Sequence, residues 1–179
     1  MNSNIVPLVL RPHLVSFLMK EMQGEGKTFA GFKCKTINIT PYSFVGKFLL
    51  ANLEKIDYPV KNIKRFNIFL DVKATSRKRY ISQGKFFKVE SLGKSYVHLP
   101  EEFSDTINNI FEQQFRNSFF HYVDARVESK VLVTTAILSF IDKYDLFEAN
   151  VTQIQLRKLY YRMKEDGLCF SLQNNIRRK

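Results

Sequence analysis

EEFSDTINNIFEQQFRNSFFHYVDARVE, residues 101–128, decides how this chain is organised. Phe103, Ile107, Ile110, Phe111, Phe115, Phe119, Tyr122 and Val123 recur at steps of three and four. A helix turns once in about 3.6 residues, so this spacing gathers them into one apolar stripe. Glu101 and Glu102 open the segment, where negative charge complements the positive end of the helix dipole. Downstream the helical period continues through Val131–Tyr144 and Thr152–Glu165, with Gly167 as a stop signal. Upstream of Pro100, strand signals appear between the helical ones.

Ile5–Leu10 reads as a short strand, with Pro7 favouring a sheet edge because it has no N–H to donate. Pro12 suits a first helical turn, and Leu14, Phe17, Leu18 and Met22 continue at helical spacing until Gly24 and Gly26 end the segment. Phe32–Thr40 alternates and carries β-branched residues, a strand that Pro41 breaks. Ser43 caps a helix over 44–56, with Phe44, Phe48, Leu49 and Leu53 on one face. Phe66–Lys73 is the clearest strand, and Phe86–Ser91 and Tyr96–Leu99 follow it as partners in an antiparallel meander. The expected fold is therefore α+β: an N-terminal β-α-β-α plus antiparallel meander, then a helical C-terminal half. The implied organisation is a scaffold over 5–99 with a basic hairpin, a helical region over 100–167, and a basic tail over 168–179.

Twenty-eight Lys and Arg stand against 17 Asp and Glu, a formal charge of +11, which favours polyanionic partners. Hydrophobic residues make up 45% of the chain, enough for a real core and against a disordered one. Cys34 and Cys169 form no CxxC pair and suit a reduced, intracellular setting. No apolar run reaches membrane-helix length, and the N-terminus lacks signal-peptide features, so a soluble, cytoplasmic protein with no membrane partner is expected. The wealth of Asn, Ile, Lys, Phe and Tyr suggests a phage or mobile-element origin.

Positive charge concentrates in two stretches. Residues 61–94 hold ten Lys and Arg against Asp71 and Glu90, and Arg77, Lys78, Arg79 and Tyr80 fall at the expected hairpin tip. Such a tip can follow a phosphate backbone while its tyrosine stacks on a base. A loop that is polar only because it faces water has the same composition. The second stretch is the last helix. Leu156, Leu159, Tyr160 and Met163 take one face, and Arg157, Lys158, Tyr161, Arg162 and Lys164 largely the other. Thr152 caps its start, and Val131–Tyr144 supplies a supporting helix. The pair outlines a helix-turn-helix, although its connection lacks glycine and exceeds the usual three or four residues. A solvated amphipathic helix is the plain alternative.

Signals for catalysis are sparse. His13, His98 and His121 are scattered without metal-ligand spacing, and no nucleophile elbow appears. GEGKT over 24–28 lacks the first glycine of a phosphate loop and reads as a helix-ending turn. Asp71 and Lys73 lie two apart on a strand, with Asp57 upstream. This arrangement of about 17 residues resembles the core of restriction-endonuclease-like nucleases. The resemblance implies carboxylates holding Mg²⁺ and a lysine polarising water or phosphate. It departs from the pattern because Asp57 precedes Pro59 in an apparent loop. Without it, Asp71 and Lys73 are a solvated pair on the strand's polar face.

The residues point to a non-enzymatic nucleic-acid-binding protein, with DNA the favoured partner and no cofactor or metal. One alternative is a self-assembling structural protein, a homo-oligomer built on the Phe-rich helix; spacing favours core packing for that stripe. The other is a divergent Mg²⁺-dependent nuclease.

Overall fold

A computed structural model describes residues 3–29, 32–56, 63–73 and 96–165. In chain order its elements are β1 (Ser3–Leu8), α1 (Pro12–Glu21), β2 (Glu25–Phe29), β3 (Phe32–Ile39), α2 (Phe44–Asn52), β4 (Glu54–Ile56), β5 (Ile68–Lys73), β6 (Tyr96–His98), α3 (Glu101–Glu128), α4 (Val133–Lys143) and α5 (Gln153–Glu165). The fold is α+β with a helical C-terminal half. Two compact units cover residues 1–110 and 111–179, and the division falls within α3. Among the described residues no helix is long and apolar enough to cross a membrane.

In the first unit a mixed sheet runs in the order β1-β5-β3-β2. β1 pairs with β5 antiparallel, β5 with β3 parallel, and β3 with β2 antiparallel. Pro7 does lie on an edge strand, which has a ladder on one side only and so best accommodates a residue without an N–H. Alternate side chains of a strand point to opposite faces. Ile68, Leu70 and Val72 therefore share a face with their register partners Val6, Leu8, Ile37 and Ile39, and all seven are buried. α1 covers this face with Leu14, Phe17 and Leu18, and the Met19 and Ile37 side chains leave no room for a Cβ on Gly24.

The meander is replaced by longer-range pairing. β5 takes β1 and β3 as its neighbours, while β6 pairs with β4 in a separate two-stranded sheet. The expected partner over 86–91 lies outside the described residues. Ile68 to Val72 are all buried, which marks an interior strand needing a hydrogen-bond partner on both edges. A hairpin reading assumes that neighbours in sequence are neighbours in the sheet. Two further boundaries move. α2 stops at Asn52, and the residues expected to extend it form β4. Of GEGKT, Gly24 does belong to the turn that ends α1, its N–H donating to the Met19 carbonyl at 2.7 Å after Gln23 at φ 50°, but residues 25–28 are strand and open β2.

Two asparagines hold the loop that leads from β1 into α1. Asn67 accepts from the Leu10 N–H at 2.9 Å and donates to the Leu10 carbonyl at 2.6 Å. Asn108 accepts from the Arg11 N–H and donates to the Val9 carbonyl, each at 3.0 Å. These bonds satisfy backbone groups that no ladder reaches, including one at the start of α1, where no side chain caps the helix.

The start of α2 is built on close approach. Ser43 Oγ accepts from the Gly46 N–H at 3.0 Å and donates to the Thr40 carbonyl at 2.8 Å. A Cβ on Gly46 would stand 2.1 Å from the Thr40 oxygen and 2.8 Å from Pro41 Cα, both backbone atoms. Gly46→Ala is thus expected to cost about 3 kcal/mol or more, since overpacking against backbone finds no rotamer to relieve it. A urea melt of wild type and variant measures this.

Candidate nucleic-acid interface

The second unit is assembled around aromatic rings. Phe140 of α4 meets Phe115, Phe119 and Tyr122 of α3 and Tyr144 beyond its own C-terminus, with centroids 4.6–5.8 Å apart. Phe120 stacks on Tyr160 of α5 at 5.6 Å. Ile107, Phe111, Phe115, Phe119 and Val123 are buried, while Phe103, Ile110 and Tyr122 of the same stripe are half-buried, so most of the stripe packs as core.

The chain between α4 and α5 dispenses with glycine by placing Asp145 and Asn150 in the left-handed region, at φ 52° and 57°. Short Asp and Asn side chains tolerate that region better than most. Between them Leu146–Ala149 makes a 3-10 turn whose Leu146 is buried, which accounts for the length of the connection. α5 then starts on a reciprocal cap. The Gln155 N–H donates to Thr152 Oγ1 at 3.3 Å, and the Thr152 N–H donates to Gln155 Oε1 at 2.9 Å. Thr152 is thus the expected cap, and the T-x-x-Q spacing in the sequence carried its second half.

α5 buries Leu156, Tyr160 and Met163, with Leu159 half-buried beside them. The Tyr160 hydroxyl donates to Asp124 Oδ1 at 2.9 Å. Burial, and next the Asp124 carboxylate, push the Tyr160 phenol up to about 12 from 10.0. A raised folded-state value means that the unfolded chain releases this proton first. The associated stability is intact below pH 10 and falls as pH rises from about 10 to 12. In an alkaline absorbance titration Tyr160 is expected to ionise near pH 12, and Tyr160→Phe to remove that late step.

The opposite face of α5 is exposed: Arg157, Lys158, Tyr161, Arg162 and Lys164, with Ile154, Gln155 and Glu165. Ile154, Lys158, Tyr161 and Glu165 follow one line along the helix. Arg157 and Lys164 flank it on one side, Gln155 and Arg162 on the other. The Arg157 guanidinium lies 5.8 Å from the Tyr161 ring centroid, and Lys164 Nζ 5.6 Å from that of Tyr160. Four cations on α5 face one acid, whereas residues 111–152 hold four cations and six acids. Among the described residues of this unit the positive excess therefore resides on α5. Sequence reasoning missed Ile154 and Gln155; both fall on the exposed line and flank once the helix start is fixed at Gln153.

Arg77, Lys78, Arg79 and Tyr80 lie outside the described residues, so five of the nine expected contact residues are placed, all on this one face. In the first unit an open cleft of about 580 Å³ is lined by Arg11, Arg65, Glu101 and Asp105 among others, with no excess of either sign among those four. Comparison with protein-family models, curated proteins and solved structures returns no match.

The residues that resemble a nuclease core are only partly placed. Asp71 is buried in the interior strand, with Lys27 Nζ at 3.1 Å, so it is not the solvated residue expected on the strand's polar face. The same lysine reaches Asn38 Oδ1 at 3.5 Å. Asp57 and the Lys73 side chain lie outside the described residues. Among the described residues no three His, Cys, Asp or Glu side chains come together as a metal site. Cys34 is buried, its thiol 3.5 Å from the Phe32 carbonyl, and His121 is exposed on α3 beside Phe120.

Proposed function

We propose that this protein binds duplex DNA without acting on it chemically, laying α5 in the major groove with α4 as its support. The observation that carries the reading is the exposed face of α5, which combines four cations with Tyr161 and Gln155. An α-helix with its side chains is about 10–12 Å across, and the major groove is about 12 Å wide. Arginines on the flanks suit phosphate or the guanine edge, where their planar fork makes paired hydrogen bonds. The aromatic core and the cap at Thr152 hold that face in one orientation.

Fluorescence anisotropy with labelled duplex DNA, single-stranded DNA and RNA, in EDTA and across a salt series, tests it. Duplex DNA is expected to bind best. The logarithm of the binding constant should fall with the logarithm of salt at a slope of about −3 to −4, the mark of three to four neutralised phosphates. Preference for RNA or single strands, or cleavage on adding Mg²⁺, would overturn the reading.

A further inference from the structure

We propose that Ile154 recognises thymine, packing its side chain against the 5-methyl group that thymine presents in the major groove. The proposal rests on the reading of α5 as a major-groove helix. Ile154 is the second residue of α5 and is 68% exposed. A β-branched side chain is a poorer helix former than the straight-chain residues around it, and leaving it in water forgoes the benefit of burying it. Neither helix formation nor the core therefore explains an isoleucine there.

Its position on α5 supplies an explanation. Ile154 lies in line with Lys158 and Tyr161, between the flanks that carry Arg157 and Arg162. When a basic helix lies in the major groove, the residues of its first turns face the base edges. Most groups on those edges are hydrogen-bond donors and acceptors, which lose water against isoleucine and gain nothing in return. The thymine methyl is the apolar exception. Gln155 adds a second element. Its oxygen is committed to the Thr152 N–H, so what it offers a base edge is a donor, and thymine O4 is an acceptor beside the methyl.

Deoxyuridine separates this contact from DNA binding as a whole, because it lacks the methyl and keeps the base pairing. Duplexes retained by the protein from a randomised pool are resynthesised with deoxyuridine in place of thymine and compared in EDTA at matched salt. The wild type is expected to bind the thymine form about fourfold tighter or more, the effect of one buried methyl-sized group. Ile154→Ala is expected to bind both forms alike, and Ile154→Val to keep the preference. Equal binding of both forms by the wild type overturns the thymine contact and leaves the DNA reading standing. A preference that survives in Ile154→Ala also overturns it, by placing the methyl contact elsewhere. A protein that retains no duplex from the pool overturns both.

Discussion

Arg157→Glu/Arg162→Glu is expected to bind duplex DNA about a hundredfold more weakly than the wild type at about 0.1 M salt, with its fold intact. Two phosphate or base contacts are lost, and two new negative charges repel the backbone. The salt slope should become shallower by about two, because each neutralised phosphate contributes about 0.9. Stability should change little. Both side chains are exposed, and the core of the unit is built by the other face of α5. Arg157 gives up an approach to the Tyr161 ring, and Arg162 a favourable place in the last helical turn. Together these shift the melting temperature by only a few degrees. Undiminished binding in this variant would move the interface off α5, towards the basic stretch over 61–94.

Phe140→Ala should show the largest stability loss in the second unit. Phe140 is fully buried and meets four aromatic rings within 5.8 Å. Removing it costs about 3–5 kcal/mol, the lost transfer energy plus the cavity left behind. A small domain has about 5–15 kcal/mol of stability in all, so the unit should lose much of its cooperative melting transition. Near-ultraviolet circular dichroism should collapse with it, since tyrosine and phenylalanine rings dominate this core. DNA binding should fail too, although Phe140 has no exposed surface, because the cationic face of α5 depends on that core for its orientation. Phe140→Leu refills most of the space and should keep both the fold and the binding. Loss of binding in Phe140→Leu with a native spectrum would mean that α4 has a part in recognition beyond support.

The candidate interface was legible because helix periodicity is local. Leu156, Tyr160 and Met163 lie at steps of three and four, which fixes both the buried face and the cations opposite. The glycine-free connection was harder to read. Asp145 and Asn150 provide left-handed backbone there, and which Asp or Asn does so depends on where Leu146 is buried. Ile154 was missed for a related reason: an isoleucine beside a helix start reads as core until its burial is known.

The sequence alone determined the α+β class, the three C-terminal helices, the cap at Thr152, the edge position of Pro7 and the division of α5 into an apolar and a cationic face. All of these follow from interactions between residues a few positions apart, or from the missing N–H of one proline. Only the tertiary structure decided that Ile68–Lys73 lies between β1 and β3 rather than in a meander, that Glu25–Phe29 is a strand, and that Asp71 is buried with Lys27 Nζ beside it. Sheet partners are chosen by burial and by backbone hydrogen bonds between segments distant in the chain. Ser3–Leu8 and Phe32–Ile39 met the need of the interior strand on both edges, and no short-range pattern records that choice.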